Sequence, residues 1–148
     1  MHTKTRVNIG WREWVGLPEM GVDRIKGKID TGARTSALHA VDMEEYFADG
    51  ILRVRFRLHP IQRDTRHGIV VDHEVIDERS VRSSSGITEL RPVIQTVLAL
   101  GARQWPIEIT LTDRANMGFR LLLGREALRK RVLVDAGRSF LLGSDATS

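Results

Sequence analysis

The chain has 148 residues, 41% of them hydrophobic, enough for one domain to bury a core of ordinary size. It carries no cysteine, which excludes disulfides, thiolate nucleophiles and cysteine-ligated zinc, and no run reaches the roughly 18 consecutive apolar residues of a membrane span. The net charge of +4 comes from 23 Lys+Arg against 19 Asp+Glu; only Lys4, Lys26, Lys28 and Lys130 are lysines, and an arginine bias suits carboxylate or phosphate partners, although a solvated basic surface is the simpler account of composition alone.

Met1 to Arg6 leads into no apolar signal-peptide region, so a soluble cytoplasmic protein is expected. Val7 to Val15 alternates as a strand that Gly16-Leu17-Pro18 ends, and Asp23 to Ile29 reads as the strand that delivers Asp30 to the start of a loop. Ser36 to Tyr46 fits no single period. From Leu52 to Leu58 the alternation is strict, with Leu52, Val54, Phe56 and Leu58 on one face and Arg53, Arg55 and Arg57 on the other. That arginine face could take an anion, but the outer face of an antiparallel sheet is ordinarily just solvated.

His59 to Gly68 is polar and proline-interrupted, a surface loop. Ile69 to Ile76 is a further strand, and Asp77 to Gly86 a polar tip ending in Ser83-Ser84-Ser85-Gly86. Ile87 to Leu100 and Gln104 to Thr112 are long strands around Gly101-Ala102-Arg103, so the Ser/Gly tip belongs to a hairpin that could fold over a cleft or simply stand in solvent. Asp113 to Gly118 is a turn, Phe119 to Gly124 a short buried strand, Arg125 to Arg131 a helix by composition, and Val132 to Leu142 two strands around Asp135-Ala136-Gly137. Many short strands and one helix, without repeats, predict an all-β, small closed barrel forming a single domain over residues 1–148, with its core at about 10–142.

Asp30-Thr31-Gly32 sits at the end of a strand, where a glycine lets the chain turn and aims its N–H at the acid. By itself such a tripeptide is as well explained as an ordinary turn. Ile29-Asp30-Thr31-Gly32-Ala33 followed by Leu122-Leu123-Gly124-Arg125, with a helix behind it, resembles the retropepsin-like aspartic peptidases. More narrowly, Lys28 to Ala40, Ser84-Ser85-Gly86, Glu89 to Ile94, Leu111 to Arg114 and Met117-Gly118-Phe119 are similar to the bacterial family labelled ATP-dependent zinc proteases, over about Gly10 to Leu142. Arg120 departs from that pattern, which has a proline before the apolar run.

The resemblance implies a retropepsin fold and, for some members, peptidase action on glutamate-rich tails added to a ribosomal protein by an ATP-grasp ligase. Neither zinc nor ATP follows from the residues, because His-Glu-x-x-His and a Gly-rich loop ending in Gly-Lys-Ser/Thr are both missing. His2, His39, His59, His67 and His73 show no ligand spacing; a site from His67, Asp72 and His73 is conceivable, and scattered surface histidines are the plainer reading, so no metal and no cofactor is assigned.

Metal-free peptide hydrolysis needs two carboxylates that share a proton, and this chain has one Asp-Thr-Gly. Asp135-Ala136-Gly137 imitates it but lies too close to the end of the chain to head a second half-barrel and reads as a hairpin turn. The expected solution is a homodimer in which two copies of Asp30 meet on the axis, with Thr31 and Gly32 orienting them. Arg34 stands where the family commonly has an acid that pairs with the arginine of Gly-Arg. Arg34 and Arg125 would be neighbouring cations drawing acidic peptides, unless Glu126 or another acid intervenes and Arg34 points to solvent. Ser84, Ser85 and Gly86 would close over the peptide as a flap. The expected partners are a second copy and a peptide or protein substrate, a glutamate-rich ribosomal-protein tail among the candidates, without membrane or nucleic acid. Two alternatives stay open: a non-catalytic peptide- or nucleic-acid-binding barrel, and a metal-dependent hydrolase.

Overall fold

The structure, a computed structural model, describes residues 6–61, 68–83, 85–113 and 118–143. Its elements in chain order are β1 (Val7–Gly10), β2 (Arg12–Leu17), a single 3-10 turn (Pro18–Met20), β3 (Val22–Asp30), β4 (Ser36–His39), β5 (Val41–Ala48) and β6 (Ile51–Leu58). They continue with β7 (Ile69–Glu74), β8 (Asp77–Arg82), β9 (Thr88–Leu100), β10 (Arg103–Thr112), β11 (Leu121–Gly124), α1 (Arg125–Leu128) and β12 (Val132–Asp135). No helix among the described residues is long and apolar enough to cross a membrane.

The expected all-β barrel is what forms. One sheet runs β10-β4-β11-β3-β2-β9-β8, and β9 also pairs with β10, so six of its strands close into a ring while β8 projects as the outer strand of a hairpin with β9. Closure removes the exposed edges that an open sheet would leave. Period-two alternation fills the ring: Ile25 and Ile29 from β3, Leu121 and Leu123 from β11, and Ile109 and Leu111 from β10 are all buried. A separate sheet β5-β6-β7 packs Val54, Phe56 and Leu58 into the same core. On its outer face Asp72 binds Arg53 at 2.8 Å and Arg55 at 3.6 Å and accepts the Tyr46 hydroxyl, so this arginine face carries its own counter-ion.

Four expectations on elements are corrected. The strand expected over Val7 to Val15 is two, broken at Trp11, whose N–H donates to the Arg138 carbonyl at 2.8 Å while its carbonyl accepts the Ile29 N–H at 2.8 Å. The polar tip is shorter, since β8 takes residues up to Arg82 into pairing with β9. The helix expected over Arg125 to Arg131 is one turn: Lys130 takes φ 66°, which reverses the chain so that β12 can lie parallel to β1, and tertiary pairing overrides propensity. After Asp135 no second strand forms; residues 138–142 instead lie against β2, where the buried Glu13 carboxylate accepts the N–H groups of Gly10, Leu141 and Leu142 at 2.7, 2.9 and 3.2 Å. The loop positions 62–67 and 114–117 lie outside the described residues.

Candidate active site

Asp30 ends β3, half-buried, and its position is set by three layers of contact. Locally, the Gly32 N–H donates to Asp30 Oδ1 at 3.1 Å and the Ala33 N–H to the Asp30 carbonyl at 3.1 Å, a tight turn that presents the carboxylate. Beside it β11 runs parallel to β3 with Gly124 opposite Asp30 and Leu123 opposite Ile29, so the two motifs picked out in the sequence are adjacent in space. The loop then crosses the end of β11. The N–H groups of Arg125 and Glu126 donate to the carbonyls of Ala33 and Arg34 at 2.8 and 3.2 Å, and the Arg125 guanidinium donates to the Gly32 carbonyl at 3.2 Å.

That crossing needs glycine at position 124. A Cβ there would stand 2.6 Å from the Thr35 carbonyl oxygen and 2.9 Å from that of Ala33, both backbone atoms that cannot swing away. Ser36, buried, locks the crossing from the other side: its hydroxyl accepts the Gly124 N–H at 3.1 Å, and its carbonyl accepts the Thr110 hydroxyl at 2.8 Å. Sequence reasoning left Ser36 in an ambiguous stretch; a small hydroxyl inside the apolar run Ser36-Ala37-Leu38 was the available signal.

Asp30 lines a cleft of about 1110 Å³ that the β8–β9 hairpin also lines through Arg79 to Ser83. Of the candidate flap residues, Ser84 lies outside the described residues. Ser85 and Gly86 are exposed and form the tip: the Ser83 and Ser85 hydroxyls are 2.7 Å apart, the Gly86 N–H donates to the Ser83 carbonyl at 2.9 Å, and Gly86 takes φ 87°. Five cations line the cleft, Lys28, Arg34, Arg79, Arg82 and Arg91. Arg79 is committed to Glu108 and Asp77, which raise its pKa, and Arg91 to Glu89. Lys28, Arg34 and Arg82 form no ion pair among the described residues. Glu126, which also lines the cleft, pairs with Arg129 at 3.5 Å. Arg125 and Arg34 are both exposed, as is Thr31, and the Thr31 hydroxyl makes no hydrogen bond among the described residues.

Asp135 repeats the local turn, with the Gly137 N–H on its Oδ1 at 3.0 Å, but it ends β12 in the separate two-stranded sheet and does not line the cleft. Among the described residues no three His, Asp or Glu side chains gather to hold a metal. In the histidine group considered from sequence, Asp72 is occupied by Tyr46 and Arg53, His73 Nδ1 lies 2.8 Å from the Glu74 carbonyl, and His67 is outside the described residues.

Comparison with known proteins agrees with the geometry. Residues 8–144 match the RimB-like family model, described as retropepsin-like aspartic endopeptidase RimB. Curated relatives named "Probable alpha-L-glutamate ligase" are 45% identical over 135 residues in Shewanella pealeana and 46% identical over 138 residues in Parasynechococcus marenigrum, covering 91% and 93% of this chain but 30% of each relative. The chain therefore spans about three-tenths of the length of those relatives. A crystal structure of Lpg0085, a protein of unknown function from Legionella pneumophila, superimposes with a TM-score of 0.76 at 27% identity, covering 93% of this chain and 99% of that one. A strand-borne Asp-Thr-Gly crossed by a Gly-Arg strand, in a closed barrel that the family model matches almost end to end, makes this chain a member of the RimB-like family of retropepsin-like proteins.

Proposed function

We propose that the protein is an aspartic endopeptidase that works as a two-fold homodimer, each copy supplying one Asp30, and that it favours acidic, glutamate-rich peptides. The observation that carries this reading is Asp30 itself: a carboxylate on a turn fixed by the Gly32 N–H and by the Gly124 crossing, in a cleft roofed by a hairpin. One such acid cannot do the chemistry. Two within hydrogen-bonding reach cannot both ionise, so one stays protonated, as in the aspartic-protease dyad from which the general rule is drawn.

The ionised carboxylate then takes a proton from a water that attacks the scissile carbonyl carbon, while its protonated mate donates to the carbonyl oxygen. Collapse of the tetrahedral species breaks the C–N bond, and the proton taken from water passes to the leaving amine. Thr31, exposed and with a hydroxyl that makes no hydrogen bond among the described residues, would reach across the axis. The β8–β9 tip would exclude water by closing over the peptide. Lys28, Arg34 and Arg82, without an ion pair among the described residues, would offer positive charge to substrate carboxylates. The name of the ligase relatives supports glutamate as the substrate side chain, while ligation belongs to proteins some three times longer than this domain.

Asp30→Asn tests the reading. Turnover of a glutamate-rich peptide is expected to fall on the order of 1,000-fold or more, with peptide binding retained. Mixing equal amounts of wild-type and Asp30→Asn chains should halve, roughly, the activity per wild-type chain, because only matched pairs carry two acids. Undiminished turnover in Asp30→Asn would falsify the peptidase, and activity strictly proportional to wild-type chain would exclude the shared dyad.

A further inference from the structure

On β3 the residues Arg24, Lys26, Lys28 and Asp30 alternate with the buried Ile25, Gly27 and Ile29, so they stand on one outward face. Three cations in a row thus lead to the candidate catalytic acid, and Lys28 already belongs to the cleft wall. The neighbouring strand supplies aromatic rings to this row. Trp14 is paired with Lys26 and Arg12 with Lys28. Arg24 lies 4.2 Å and Lys26 5.4 Å from the centre of the Trp14 ring, and Arg12 lies 4.6 Å from Trp11 and 4.9 Å from Phe140. Phe140 stacks on Trp14 and Phe119 meets Trp11 edge-on, both at 6.0 Å.

An aromatic face attracts a cation but brings no net charge, so the rings themselves take nothing from the positive charge of Arg12 and Lys26. Arg12, Lys26 and Lys28 form no ion pair among the described residues. Of the acids nearby, Glu13 is buried among backbone N–H groups and Glu19 accepts the Thr96 hydroxyl at 3.4 Å, while Asp23 is exposed where the strand begins. Nothing in the hydrolytic step uses Arg24, Lys26 or Trp14, and a folding role does not require a line of like charges, which repel one another.

We propose that this face is an exosite that takes an acidic segment of the substrate lying outside the cleft. The occupant follows from charge and repeat. Alternate residues of a strand recur about every 6.8 Å, and alternate carboxylates of an extended glutamate chain recur at the same distance, so every second acid can meet successive cations. Rings that hold the cations in advance reduce the side-chain entropy lost on binding. The choice of an acidic peptide rests on the function proposed above; the location of the exosite rests on the row itself.

The test measures binding, not cleavage, in the Asp30→Asn chain, with fluorescent oligoglutamates of about four residues, which the cleft accommodates, and about twelve, which reach past it at about 3.4 Å per residue. Arg24→Glu with Lys26→Glu should weaken the long peptide on the order of tenfold and the short one by less than about twofold, and high salt should erase the difference. Arg24→Gln with Lys26→Gln, a milder change, should give a smaller loss of the same length-selective kind, with circular dichroism checking that both variants fold. Equal weakening of both peptides, or none, overturns the exosite, as does tighter binding of single-stranded RNA than of the long peptide at equal charge. If the length-selective loss appears although the wild-type chain cleaves neither peptide, the peptidase reading fails and the exosite stands.

Discussion

The guanidinium of Arg125 bonds a carbonyl, that of Gly32, and no carboxylate. Arg34, two residues past the glycine, lines the cleft, and neither it nor Arg125 forms an ion pair among the described residues. A cation in the cleft disfavours a neutral peptide only slightly but gains substantially from a substrate carboxylate, which can accept the guanidinium in charge-assisted bonds. Arg34→Glu is expected to lower kcat/KM for glutamate-rich peptides by tenfold or more, about 1.4 kcal/mol of transition-state binding, and to leave neutral peptides within about twofold. Equal losses on both substrate types would remove Arg34 as a specificity residue.

Between elements, the decisive contact is the crossing of the residue 30–36 loop over the end of β11. It is held by four hydrogen bonds between the loop and Gly124, Arg125 or Glu126, and it tolerates no side chain at position 124. Gly124→Ala should cost about 1–3 kcal/mol of stability by overpacking, seen as a lower midpoint in urea with an unchanged m-value. Activity should fall further than stability predicts, since the atoms displaced carry Asp30; a variant of full activity would show that the crossing does not position the acid. Strands such as β6 and β10 were legible in the sequence because alternation reports burial on one face. The length of α1 was not legible, because its end is dictated by where β12 must go to meet β1, a partner more than a hundred residues away in sequence.

Across the molecule as a whole, His39 links stability to pH. It is buried where β4 meets β10, and that burial, followed by the nearby positive charge of Arg120, lowers its pKa below the ordinary 6.5. The unfolded chain therefore takes up the proton first as pH falls below about 6.5, so the stability that His39 lends at neutral pH is lost on the acid side. Thermal midpoints should decline below about pH 6.5, and His39→Gln should flatten that decline; an equally steep decline in the variant would assign it to other groups. The amino-acid sequence by itself determined the alternation that makes a closed β-barrel, the family, and the tripeptide that bears the acid, because each is written in local order and composition. Local turn chemistry did not distinguish one Asp-x-Gly from the other, since Asp30 and Asp135 accept the same hydrogen bond from the glycine two residues on; the later Gly-Arg motif and the position of Asp135 near the end of the chain did. Only the tertiary structure supplied the physical difference: Gly124 and Arg125 fold onto the first and the cleft opens beside it, whereas the second ends an outlying strand. A local turn needs three neighbouring residues, but a working carboxylate needs distant backbone to hold it, and those contacts exist only after the barrel has closed.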